Sequence, residues 1–298
     1  MRYADLVPCL NAFIDTRTPG SERKENFTII GPGVSENPAQ HVHIALVHGF
    51  NIGGARQPPG CVNSQHSHLS AEVFVAHSGR WRFDIGETGD AAHVFVEPGD
   101  VISLPTGMFR GFTNIGEETG FLWSVLGGDD PGRVTWAPQV FDLAQEHGLV
   151  LLDTGRLIDT RVGEAMPPGA RPMPRTAREQ VAAMRTPSQA QADALVARAA
   201  PARESRQTAI IGPHGALDWE HGFTMDRIDL ASDGTLDGPG ATTPSVLFVH
   251  SGRLAIAWNR GGAQLILGLG DTLSVPVGLP LRLAAECTTR AFRVCGVP

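Results

Sequence analysis

Short apolar runs broken by Gly and Pro dominate the chain. Residues 72–83 and 244–258 are rich in Val, Phe, Ile, Leu and Trp, and each carries an internal Ser-Gly turn. Such runs predict strands of a sandwich or barrel. The 35 Gly and 22 Pro supply the turns between them. Residues 40–50 alternate as a strand would, with His41 and His43 on one face and His48 on the other. The same alternation puts Met108, Arg110, Phe112 and Asn114 on one face, and Ser245, Leu247 and Val249 on one face. The middle of the chain reads differently. Residues 138–147 space Val140, Phe141, Leu143 and Ala144 at helical intervals, with Gly148 placed to stop the helix. Residues 149–153 read as a strand and 167–174 as an irregular Pro-rich stretch. The Ala- and Gln-rich segments 176–184 and 188–199 have helix-forming composition. These helices are expected to pack outside the strands.

The pattern repeats. Thr28-Ile29-Ile30-Gly31-Pro32-Gly33 resembles Ala209-Ile210-Ile211-Gly212-Pro213-His214. His77-Ser78-Gly79-Arg80 recurs as His250-Ser251-Gly252-Arg253. Gly99-Asp100-Val101-Ile102-Ser103-Leu104-Pro105 recurs as Gly270-Asp271-Thr272-Leu273-Ser274-Val275-Pro276. The order is kept throughout, so two tandem copies of one unit are the economical explanation. A length of 298 residues agrees with about two domains.

Composition narrows the function classes. A net charge of −7 and the lack of any basic run argue against a nucleic-acid partner. The apolar runs are too short to span a membrane, and the first residues lack the apolar core of a signal peptide. The chain is therefore expected to be soluble and cytoplasmic, with no membrane partner. Cys9, Cys61, Cys287 and Cys295 form no Cys-x-x-Cys pair and are expected to stay thiols. Cys61 is expected to be a small buried residue. No Gly-x-Ser-x-Gly, P-loop or dinucleotide fingerprint is present.

The candidate chemistry lies in residues 60–79, which carry Gly60, His66, His68, Glu72 and Gly79. The three ligand-type residues share one parity, which on a single strand would point them from one face. Two imidazoles and a carboxylate suit a divalent metal, and with open positions they suit Fe(II) oxygen chemistry. The spacing resembles the first motif of the cupin superfamily. The second cupin motif reads Gly, Pro, Gly, His, Asn, and this chain has Gly99, Pro105, Gly107, Arg110 and Asn114. Four positions match, and Arg110 stands where the family has its last metal-binding His. With the duplication, the resemblance implies an all-β bicupin: two tandem double-stranded β-helix, or jelly-roll, barrels over 25–127 and 206–298. A partly helical connector, 128–205, would join them. In the second copy Ser245 falls at the Glu72 position, Pro239 and Ala241 at the histidines and Leu281 at Arg110. That barrel is expected to lack a metal site.

A guanidinium has no lone pair, so Arg110 cannot replace the missing ligand. Two arrangements remain. In one, His66, His68 and Glu72 hold the metal and Arg110 sits at the rim to fork a substrate carboxylate. In the other, Arg110 pairs with Glu72 and no metal binds. Under the first, Arg110, Phe74, Met108 and Phe112 would form the substrate site, with Arg110 also orienting the substrate for catalysis. His41 or His43 would offer a replacement ligand if either entered the barrel; Gln65, His77 and His250 read as structural. The resemblance is closest in layout to gentisate-type bicupin dioxygenases. It implies a metal-dependent oxygenase for a small anionic substrate, aromatic or not. The expected ion is Fe(II), with Mn, Zn and Ni as alternatives. The competing readings are a metal-free cupin that binds or senses a small molecule, and a Zn or Mn isomerase or lyase. A homo-oligomer is compatible with each.

Overall fold

A computed structural model describes residues 1–201, 204–258 and 262–297. The expected connector and second barrel include residues 202–203, 259–261 and 298, which lie outside the described residues. The first half builds β1 (Glu25–Ile30), β2 (Val42–Ile44), β3 (Phe50–Gln57), β4 (Val62–Ser67) and β5 (Glu72–Ser78). It continues with β6 (Trp81–Ile85), β7 (Ala92–Val96), β8 (Val101–Leu104), β9 (Arg110–Asn114) and β10 (Gly120–Gly127). The middle holds β11 (Thr135–Trp136), α1 (Pro138–Glu146), β12 (Leu149–Leu151), β13 (Leu157–Asp159), α2 (Arg178–Ala182), α3 (Gln189–Asp193) and β14 (Val196–Ala197). The second half builds β15 (Arg206–Ile211), β16 (Phe223–Leu230), β17 (Thr235–Gly238), β18 (Ser245–Ser251) and β19 (Leu254–Trp258). It ends with β20 (Ala263–Leu267), β21 (Thr272–Val275), β22 (Leu281–Ala285) and β23 (Thr289–Gly296).

Each half pairs two sheets face to face. The first uses the order β14-β8-β5-β10-β3-β1-β2 against β11-β4-β9-β6-β7. The second uses β15-β16-β23-β18-β21 against β17-β22-β19-β20. Alternation divides β5 between two cores. Phe74 and Ala76 fill the inside of the first barrel, whereas Val73 and Val75 join Trp123, Phe248, Phe292 and Val294 in a core shared by the two halves.

The duplication is visible in the ladders. Glu72 opens β5 opposite Leu104, and Ser245 opens β18 opposite Val275. The repeated Gly-Asp turns make the same bonds. Gly99 N–H donates to the Ala76 carbonyl and Gly270 N–H to the Val249 carbonyl, each at 2.8 Å. Both glycines have positive φ, +91° and +76°, which explains the residue type.

The middle segment departs from expectation in two places. The helices are short, and Val196 and Ala197 leave the expected 188–199 helix to pair as β14 with the edge of β8. β-branched Val196 fits a sheet edge better than a helix end. The expected strand over 40–50 is reduced to Val42–Ile44, after which the chain loops before β3. Gly49, at φ +79°, makes the turn into β3.

Candidate metal centre

His66, His68 and Glu72 do not share one strand. His66 lies near the end of β4, His68 follows in the turn, and Glu72 opens β5. Their convergence comes from the turn between two sheets. The ligand atoms of the three residues lie within 4.8 Å of one another, and all three side chains are buried. His66 is flanked on both sides: its backbone pairs with Arg110 of β9 and with Trp136 of β11. Its Nδ1–H donates to the Ser64 carbonyl at 2.7 Å. That bond fixes the tautomer and leaves the Nε2 lone pair for a ligand. His68 Nε2 lies 3.5 Å from Glu72 Oε2, and its Nδ1 is buried without a partner.

Arg110 is 1% exposed and does not sit at a rim. Its Nη2 donates to Glu72 Oε2 at 2.6 Å and its Nη1 to the His66 carbonyl at 3.3 Å, while Nε has no partner. The fork is turned onto the protein's own carboxylate. The cause is register: Arg110 opens β9 between Ile85 and His66, deep in the second sheet. Burial, reinforced by the Arg110 charge, holds His66 and His68 well below the ordinary imidazole range. Both are therefore neutral, as metal ligands must be. Burial pushes the Glu72 carboxyl up, and the Arg110 charge and hydrogen bond oppose it.

A cavity of about 660 Å³, mouth included, opens beside the three residues. Phe74 and Phe112 line it, as does Trp136; Arg110 and Met108 are not on its wall. Met108 is instead packed inside the barrel core. One wall was not foreseen. Ala12 and Phe13 of the N-terminal segment line the cavity, together with Val34 and Ser35 of the β1–β2 connection. That segment is held by buried polar contacts. Asp15 pairs with Lys24 and accepts from Ser64 N–H at 2.9 Å, and Lys24 donates to Asn63 Oδ1 at 3.0 Å. Glu36 accepts from Ile14 N–H at 2.7 Å and Trp136 Nε1–H at 2.6 Å. In the sequence these charges sit in polar runs that read as solvated, so no signal marked them. Asn26 also lines the cavity, with Nδ2 buried and unpartnered.

The other histidines stay apart. His41 is exposed, and both His43 nitrogens are engaged, Nδ1 with the Thr28 carbonyl and Nε2 with Val7 N–H. Neither supplies a ligand. Gln65 Nε2 donates to the Asp84 and Gly86 carbonyls, a turn-holding role.

No protein-family model matches the sequence. Procruciferin, the 11S globulin of Brassica napus, superposes with a TM-score of 0.53 at 13% identity, over 83% of this chain and 76% of that one. A variant of the salicylate 1,2-dioxygenase of Pseudoaminobacter salicylatoxidans, solved with gentisate, gives 0.50 at 18% identity, over 83% and 69%. The fold is that of a bicupin. Germin-like protein subfamily 1 member 4 of Arabidopsis thaliana is 26% identical over 121 residues, 38% of this chain and 54% of that protein. The match thus spans about half the length of that relative. A globulin and a dioxygenase share the bicupin fold, so the fold alone does not choose a function. The donor set of this chain does suit a divalent cation: two neutral imidazoles and one carboxylate converge where a cavity meets them.

Proposed function

We propose that this bicupin is a metal-dependent enzyme acting on a small anionic substrate, with His66, His68 and Glu72 as the ligands and oxygenation as the reaction. The observation that carries the reading is the convergence of those three donors within 4.8 Å, with both imidazoles neutral. Two His and one carboxylate match Fe(II) best, ahead of Mn, Zn and Ni. When bound, the ion would supply a Lewis acid and a template for substrate and oxygen.

The chain's own residues do the rest. The Ser64 carbonyl holds His66 in the tautomer that presents Nε2. Arg110 orients Glu72 through a 2.6 Å hydrogen bond and favours its ionised form against the upward push of burial. A divalent ion with one carboxylate and one guanidinium leaves the pocket cationic, which favours an anion. Phe74, Phe112 and Trp136 form flat apolar walls that suit an aromatic acid. The gentisate-bound structural relative supports that substrate class.

The test is elemental analysis of protein purified without added metal, followed by oxygen uptake with salicylate and gentisate. Stoichiometric Fe that disappears in the His66→Ala/His68→Ala variant, with oxygen uptake, supports the reading. Zn or Mn without oxygen uptake would redirect it to an isomerase or lyase. A second reading rests on the 2.6 Å Arg110–Glu72 pair, which already satisfies the carboxylate: a metal-free cupin that binds a small molecule. Metal-free protein after reconstitution attempts would select it.

A further inference from the structure

The second barrel holds a cavity at the place corresponding to the first barrel's site, and its chemistry is inverted. Phe74 pairs with Ser124 across β5 and β10, and Leu247 pairs with Arg293 across β18 and β23. Phe112 lies opposite Phe83, and Leu283 lies opposite Ile256. Arg110 opens β9, and Leu281 opens β22. Leu247, Leu281, Leu283 and Arg293 all line one narrow cleft of about 370 Å³, the open solvent at its mouth included. Leucines thus replace the two phenylalanines and the arginine at the equivalent positions of the first barrel, and an arginine replaces a serine.

We propose that this cavity binds a small aliphatic carboxylate, its chain among the leucines and its carboxylate on Arg293. Three observations support the assignment. First, Leu236 and Leu281, which line the cavity, are only partly buried. The apolar lumen is open to a ligand at that end. Second, the arginines of this barrel that form ion pairs among the described residues are Arg206, Arg227, Arg253, Arg282 and Arg290. Arg293 is not among them; Asp226, its neighbour across β16 and β23, instead accepts from Gln207 Nε2 at 2.8 Å. A guanidinium on an apolar wall matches a carboxylate head in a two-point contact. Third, Ser245 is 1% exposed with Oγ unpartnered. It shares the inward face of β18 with Leu247 and lies opposite Val275, which also lines the cavity. It offers a further donor near the lumen.

The inference is independent of metal in the first barrel. Titration calorimetry of the full chain with octanoate and with octanol tests it. Octanoate is expected to bind at one site per chain. Arg293→Gln should weaken octanoate about tenfold or more, the worth of a charge-assisted hydrogen bond, while shifting octanol by less than about twofold. Leu247→Trp should abolish both by filling the lumen. Should that variant fail to fold, Leu236→Trp at the half-buried mouth applies the same block. No octanoate binding overturns the proposal. So does binding that survives both Arg293→Gln and Leu236→Trp, or binding lost only on Phe74→Trp in the first barrel.

Discussion

Arg110 decides the character of the first barrel's site. It is buried, it satisfies Glu72, and its charge adds to the burial that depresses both histidines. Removing one member of such a pair strands the other charge. Arg110→Met is therefore expected to cost about 3–5 kcal/mol of folding stability. The double variant Arg110→Met/Glu72→Leu should recover most of it. Urea denaturation of the three proteins measures both steps, and a single variant as stable as the parent would show the pair to be unimportant. Arg110→His tests the same position chemically. It supplies an imidazole where the guanidinium has no lone pair, so metal affinity measured by chelator competition should rise. Unchanged affinity would place position 110 outside the metal's reach.

Among the elements, the N-terminal segment contributes what no strand of the barrel does. It walls one side of the cavity, and the buried Asp15–Lys24 pair anchors it to β4 through Asn63 and Ser64. Lys24→Met leaves Asp15 buried without its cation, at an expected cost of about 3–5 kcal/mol. Because these contacts link the segment to the barrel, the loss should appear first as local opening. Limited proteolysis is expected to cut within residues 9–24 faster in the variant than in the parent. Equal cleavage rates would mean that other contacts hold the segment. The anchor was illegible in the sequence because a Lys in a polar run is ordinarily solvated, and only folding brings Asp15 onto it.

The whole molecule is joined through a core that draws on both barrels, so they are expected to unfold in one transition. His77 and His250 lie in that interface with ring centroids 5.5 Å apart and Nδ1 atoms unpartnered. Burial lowers each to about 4, against about 6.5 for an unfolded histidine. The folded state binds fewer protons than the unfolded state between those values. Stability is thus complete above about pH 6.5 and falls as the pH drops toward 4. His66 and His68 act in the same direction. A His77→Phe/His250→Leu variant should show a shallower decline of the urea midpoint over that window. An unaltered slope would assign the acid sensitivity to other groups.

The sequence determined the strand-rich class and the duplication and singled out three candidate donors, because these depend on local alternation, turn residues and spacing. The repeated Gly-Asp turns were legible for that reason, since a positive φ calls for Gly wherever it occurs. Same-parity spacing singled out His66, His68 and Glu72, whose ligand atoms the structure brings within 4.8 Å of one another, yet it put them on one element. They meet across the β4–β5 turn, not along one strand. Which way Arg110 points, which chain segment walls the cavity and where Met108 packs were decided only by the tertiary structure. Each depends on a partner distant in the chain: Glu72 for Arg110, Asn63 for the Lys24 anchor, and the packed interior of the first barrel for Met108. A lone charge in the sequence carries no record of the opposite charge that burial will place beside it.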